Sequence, residues 1–545
     1  MFTYFHCYLP KTWEAQVKAG LVTKKTGGVR HVMTIRIDED KKFNEIAKKD
    51  GELYKTIVEN GYPFYIDRLQ GGDYINPYEY DMELVDEYKK LLGDKFFGFQ
   101  MHEWLSNYKN DLDCLKRVPD DKWTAEEIEK DVFRRNPFPF LNLSFMTAKE
   151  MEEFRPKTIE DFLSAGEKIY ARRQKQTGGE LTSCDSYFLT YPLEIKHGTK
   201  RIMPEIGHQT PNTRIQLAYA RGMAKAHGIK YGAYYESWGG HPFSVCCYQK
   251  DGLNEWGIKQ AADFPFEMKG SSGGSSRSLQ KRMHLYAYMA GATFMSEEWG
   301  MCNTFYDWEK FELSPYGKTK LDFIKFAEKY SDVGLPVTPV AVVVPKDFIV
   351  EPANFRKNYH IGFTVSGTLA KKVNVVHAGL KKIFAATSPM FGRENGSLRN
   401  CKTYDCIDVI TEEEAATSPY EVFVDLTSNP AFAEKISGKI APANAVLLNK
   451  IIEKSLPCSV KGGVLKQFTE TEDGTYYMLL TNNGGITNTV KKGETVSPFS
   501  TRKAVVTLKD GYVLTAEQTD GTYAQNGNKT VVTLKAGEYF FAKIK

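Results

Sequence analysis

Through residue 335 the chain alternates between two textures. Short segments dense in apolar and β-branched residues read as strands: Tyr4–Tyr8, His31–Ile37, Pro63–Arg68, Phe96–Trp104, Glu180–Phe188, Arg201–Gly207, Lys230–Ser237 and Ala292–Gly300. Between most of them the apolar positions recur every three or four residues. That spacing predicts helices over Trp13–Val22, Phe43–Asn60, Met82–Leu92, Thr213–His227, Ser278–Ala290 and Lys318–Tyr330. Strands that alternate with helices pair in parallel through right-handed crossovers. Eight such units in about 330 residues predict a (β/α)8 (TIM) barrel with insertions. The competing layout is a doubly wound open sheet, but no Gly-rich dinucleotide turn follows the first strand.

Two segments exceed a simple connection. Residues 105–179, after the fourth strand, include a helix over Thr158–Gln174. Residues 238–277, after the seventh, end in the Gly/Ser-rich MKGSSGGSSR. This run lacks the Gly-Lys-Ser/Thr ending of a phosphate loop and reads as a loop over a site. At Val337 the pattern changes. VTPVAVVVPKDF, VNVVHAGL, YDCIDVIT and YEVFVDL read as strands of a smaller, parallel α/β unit, separated by helical stretches at Leu380–Ala386 and Pro430–Ser437. The remainder alternates with a period of two between Asp-Gly, Asn-Asn-Gly-Gly and Ala-Gly turns, the pattern of an antiparallel β-sandwich. The predicted α/β architecture is therefore a barrel over 1–335, a Rossmann-like α/β domain over 336–458 and a β-sandwich over 459–545.

Composition narrows the function. Of 545 residues, 42% are hydrophobic and 26% charged, so the chain is globular, and a net charge of +4 gives no reason to expect a nucleic-acid partner. No apolar run reaches membrane-spanning length, and no secretory signal opens the chain; it is expected to be cytoplasmic, or exported with its signal removed. The 9 cysteines are scattered without a CxxC pair, which suits reduced thiols and not a disulfide or zinc framework. The 33 Phe, 31 Tyr and 7 Trp fit either a large core or a partner with apolar faces, such as a sugar.

A barrel gathers its chemistry at the C-terminal ends of its strands. There the predicted strands offer Asp67 and Arg68; His102, Glu103 and Trp104; Glu205 and His208; Glu236 and Trp238; and Glu297, Glu298 and Trp299, with Trp308 in the following loop. Any one acid at a strand end can simply cap the next helix, but carboxylates from five strands beside indoles describe a site for a sugar ring. Carboxylates bind hydroxyls and transfer protons, while indoles stack on the C–H face. No HExxH follows His102-Glu103 and no GxSxG elbow is present, so neither a metal site nor acyl transfer is expected. Glycoside hydrolysis needs two carboxyl groups in different environments, one an acid and the other a nucleophile or a base for water. A non-catalytic carbohydrate-binding protein on a hydrolase-like barrel would need the aromatics but no such pair, and a lyase or epimerase could use the same acids.

The arrangement resembles the large clan of retaining (β/α)8 glycoside hydrolases, whose acid/base Glu ends strand 4 and whose nucleophile ends strand 7. Matched by strand position, the resemblance implies Glu103 as acid/base and Glu236 as nucleophile, with His102 standing where the clan has Asn. If Ala292–Gly300 moves in the strand order, Glu297 or Glu298 becomes the nucleophile and Glu236 a substrate ligand; Glu236 is ranked ahead. Successive strand residues face opposite ways, so only one of Glu297 and Glu298 can face the mouth. The order of barrel, Rossmann-like domain and sandwich is similar to family 42 β-galactosidases and family 164 β-mannosidases. That similarity spans nearly the whole chain and implies an oligosaccharide or glycan substrate for the catalytic barrel, an oligomerisation or lid role for the Rossmann-like domain, no cofactor and a homo-oligomer, a trimer by analogy. The same pair of acids serves a retaining or an inverting outcome, according to their separation.

Overall fold

The computed structural model describes residues 2–32, 49–69, 82–105, 156–207, 210, 212–236, 275–298, 300–352, 355–356, 359–385, 398–489 and 493–545. Eight parallel strands close into a barrel: Thr3–Cys7, Gly27–Val32, Phe64–Leu69, Phe96–His102, Leu181–Asp185, Arg201–Gly207, a seventh broken into Lys230–Tyr231 and Ala233–Glu236, and Phe294–Glu298. Each pairs with its neighbours in sequence, and the first closes on the eighth with Thr3 opposite Phe294. They are numbered strands 1 to 8 below. The barrel is thus the (β/α)8 arrangement expected from the alternating pattern, and the open sheet is excluded. Helices Glu52–Asn60, Met82–Leu92, Ile159–Gln176, Thr213–His227, Arg277–Met289 and Pro315–Lys329 surround it. The long insertion helix begins where Thr158 and Asp161 form a reciprocal capping box.

Side-chain alternation divides each strand between two environments. Phe5, Tyr65, Cys184, Met203, Tyr234 and Phe294 fill the lower lumen as one apolar cluster. Residues of opposite parity, such as Phe64, Ile66, Phe99 and Met101, pack outward in the main core. A plug of aromatic and aliphatic side chains therefore seals the bottom of the barrel and leaves its polar groups at the C-terminal mouth.

Strand 2 starts earlier than the pattern suggested. It runs Gly27–Val32 instead of His31–Ile37, and 33–37 lie outside the described residues. The two leading glycines look like a turn, but a Cβ at Gly28 would come within 2.6 Å of the Phe5 ring, so the glycine makes room for the lumen plug.

Beyond the barrel, Ile407–Thr411, Val340–Val344 and Val422–Asp425 form a three-stranded parallel sheet in that order. VNVVHAGL, expected as a strand, belongs instead to helix Gly367–Phe384. Val373, Val376, Leu380 and Ile383 are its buried stripe at helical spacing, and the β-branched valines disguise it. Two antiparallel sheets then stack as a sandwich. One has five strands, with Leu335–Pro336 at its edge, and the other has four. Gly474, Gly511 and Gly537 take positive φ at the expected turns.

The helix after strand 6 anchors the parallel sheet to the barrel. Arg214 Nη2 lies 2.7 Å from Asp405 Oδ1, Arg221 pairs with Asp408, and all four side chains are buried. Among the described residues, no helix is long and apolar enough to cross a membrane.

Candidate active site

The C-terminal ends of strands 4, 6, 7 and 8 bring His102 and four carboxyl groups together at the mouth of the barrel. Strand register sets the neighbours: Gly207 lies opposite Glu236, and Glu236 opposite Glu298. Paired residues on adjacent parallel strands share a face, so the carboxylates of strands 7 and 8 both enter the lumen. Gly207 lets them approach, because a Cβ there would collide with the Glu236 backbone carbonyl and come within 3.0 Å of its Oε2.

His102 projects inward from the last position of strand 4. Its Nε2 lies 3.3 Å from Glu298 Oε1, across the barrel on strand 8, and 3.6 Å from Glu103 Oε2. One nitrogen of His102 and one oxygen each from Glu205 and Glu298 lie within 4.8 Å of one another, and all three residues are buried. Glu205 Oε1 accepts no hydrogen bond among the described residues. Burial pushes the Glu205 carboxyl well above the usual carboxylate range, and the negative fields of Glu103, Glu298, Glu236 and Asp185 push it further.

Glu103 takes a left-handed backbone conformation, φ 42°, immediately after strand 4. This is costly for a residue with a side chain and is found where the surroundings over-determine the geometry. Here the surroundings are the end of strand 5: Glu103 N donates to the Cys184 carbonyl, and Leu105 N donates to Asp185 Oδ2 at 2.9 Å. The turn removes Glu103 from strand alternation, so it can stand beside His102 at the mouth, half-buried.

Asp67 is fully buried on strand 3, with Arg30 Nη1 at 3.5 Å. Arg30 also donates to the Tyr234 hydroxyl (2.9 Å) and to the Glu297 carbonyl oxygen (2.8 Å), bracing strands 2, 3, 7 and 8. The sequence pattern missed Arg30 because strand 2 was placed too late. It also missed Asp185, where strand 5 ends; burial raises that carboxyl to about 8, against the backbone N–H groups of Tyr187 and Leu105 that favour its charged form. Both signals were present: a charged residue two positions after the Gly-Gly pair, and an acid at a strand end.

Several expected site residues go elsewhere. Glu297 faces away from the lumen, into the layer between barrel and helices. Lys320 Nζ lies 2.5 Å from its Oε2, and Tyr4, Asn303 and Gln280 donate to its carboxylate at 3.2, 3.2 and 3.4 Å. Burial alone would raise this carboxyl, but the Lys320 ammonium overrides it and holds it below the ordinary value. Of the adjacent pair, Glu298 is the residue at the mouth. Trp104 has no exposed surface; it packs on Tyr170 of the insertion helix, 5.6 Å between ring centroids, and does not line the pocket. Trp308 is half-buried in a satellite cluster with Leu21, Phe305 and Ile324. Arg68 sits on strand 3. His208, Trp299 and residues 237–274, which include Trp238 and most of the Gly/Ser-rich run, lie outside the described residues.

No family model matches this chain, and no curated protein sequence matches it. Comparison with solved structures returns the polyextremophilic β-galactosidase from the Antarctic haloarchaeon Halorubrum lacusprofundi, at 10% identity and TM-score 0.43, covering 100% of this chain and 98% of that one. It also returns the α-amylase from H. orenii, at 10% identity and TM-score 0.33, covering 100% and 99%.

Proposed function

We propose that the protein is a glycoside hydrolase in which Glu103 is the general acid/base and Glu236 the nucleophile. What carries this is the convergence of carboxylates from strands 4, 6, 7 and 8 on one barrel mouth, with unlike surroundings for each. Glu103 is partly open to solvent on its turn, as an acid that must exchange protons with water requires. Glu236 is buried on strand 7, against the backbone of strand 6. In the first step Glu103 protonates the glycosidic oxygen as the Glu236 carboxylate attacks the anomeric carbon, the leaving group departs, and a glycosyl-enzyme forms. Glu103 then takes a proton from water, which displaces Glu236. Asp67, Glu205 and Glu298 supply acceptors, or a donor where protonated, for ring hydroxyls. An oligosaccharide or glycan is the substrate class.

A panel of nitrophenyl glycosides, with the product anomer followed by NMR, tests this. Retention is expected at the anomeric carbon. Glu103→Gln and Glu236→Gln are each expected to lower kcat by about 10²–10⁴-fold while sugar binding persists. Inversion would reassign Glu236 as base for water. Sugar binding without hydrolysis of any glycoside by the parent protein would overturn the proposal in favour of a carbohydrate-binding protein.

A further inference from the structure

We infer that His102, Glu205 and Glu298 form a binding site for one divalent first-row metal ion, of the Zn²⁺ or Mn²⁺ class, at the top of the barrel lumen. The inference does not rest on the glycosidase reading, because the three donors would hold an ion whatever the reaction at the mouth. It departs from the expectation, drawn from sequence motifs, that no metal site exists: no motif marks three donors that come one each from strands 4, 6 and 8.

The geometry comes first. An ion with bonds of about 2.1 Å to a tetrahedral set separates neighbouring donor atoms by about 3.4 Å. His102 Nε2 and Glu298 Oε1 stand 3.3 Å apart, and the Glu205 carboxylate completes a triangle whose edges are all within 4.8 Å.

The second observation is independent of that spacing. Glu205 is 2% exposed and its Oε1 has no hydrogen-bond partner among the described residues, although a buried carboxylate oxygen left unsatisfied is costly. The charge around it argues the same way. Glu103, Glu205, Glu236 and Glu298 stand at the same end of the barrel, so a divalent ion held by strands 4, 6 and 8 would sit in a negative field. One imidazole nitrogen and two carboxylate oxygens suit Zn²⁺ or Mn²⁺; Ca²⁺ and Mg²⁺ favour all-oxygen cages or several retained waters. Three protein ligands also leave positions open, and two adjacent hydroxyls of a sugar could fill them.

The test uses the full chain, stripped with a chelator, exchanged into metal-free buffer and titrated with Zn²⁺ or Mn²⁺ alone by calorimetry, with bound metal counted by mass spectrometry after dialysis. One ion per chain is expected. Glu205→Gln and Glu298→Gln, which keep side-chain volume, are expected to weaken binding by at least about 10–100-fold, with circular dichroism confirming an intact fold. Failure of the parent protein to retain an ion, or unchanged binding in both variants, would overturn the inference and leave His102 as an imidazole shared between Glu298 and Glu103. Glycoside hydrolysis by metal-free protein that binds no ion would sink the metal site alone. Stoichiometric binding without hydrolysis of any glycoside would sink only the proposed reaction.

Discussion

Glu297 and Glu298 are consecutive on strand 8, yet their carboxylates lie on opposite sides of the barrel wall. Glu298 stands 3.3 Å from His102 in the lumen, and Glu297 stands 2.5 Å from Lys320 behind it. One is available for chemistry at the mouth; the other helps hold the wall that presents it.

Because the Glu297–Lys320 pair is buried, removing one partner strands a charge. Lys320→Met is expected to cost about 3–5 kcal/mol of stability, read from urea unfolding. The double variant Glu297→Leu/Lys320→Met should cost clearly less than the sum of the two single changes. Additive losses would show that the two charges do not depend on each other.

Glu103 offers a test of stored strain. At φ 42° a glycine is relaxed where alanine is not, so Glu103→Gly should exceed Glu103→Ala in stability by about 1 kcal/mol. Both lack the carboxyl and should be equally inactive. Equal unfolding midpoints for the two would mean the turn at the end of strand 4 carries no strain.

The fit of Gly207 against Glu236 predicts a catalytic effect from one methyl group. Gly207→Ala should displace Glu236 and lower kcat by about 100-fold, as misplacement by about 1 Å does. Activity within threefold of the parent would show that Glu236 needs no such close seat.

Much of the barrel was legible because dense apolar segments alternate along the chain with segments of helical spacing, and seven of its eight strands fall where that pattern placed them. The exception, strand 2, begins with two glycines, the second of which yields to Phe5, 23 residues away in sequence. At the mouth, adjacency along the chain misled. Trp104 follows Glu103 but the chain turns between them, so the indole enters the core while the carboxylate stays at the pocket. Identifying Glu298 as the inward member of its pair needed the register with Glu236, which the pattern of strand 8 alone does not contain.

Acid should weaken the fold through buried imidazoles. Burial lowers His31 to about 4, and burial reinforced by the Lys320 charge lowers His6 to about 3, whereas an unfolded chain takes up these protons near pH 6.5. Between those values the unfolded state binds more protons than the native one. Their contribution is therefore complete above pH 6.5 and declines as pH falls, by up to about 1.4 kcal/mol per pH unit for each ring. Urea midpoints at pH 7.5, 6 and 5 should fall in order. His31→Leu should make the decline shallower; an unchanged slope would exclude His31 as a contributor.

The two guanidinium groups that pin the sixth strand's helix to the parallel sheet also govern how the gene can be cut. A polypeptide ended at residue 335 would present Arg214 and Arg221 to water without Asp405 and Asp408, beside the apolar face those aspartates' sheet now covers. Recombinant fragments of the barrel alone should therefore be poorly soluble, and activity screens belong on the intact chain.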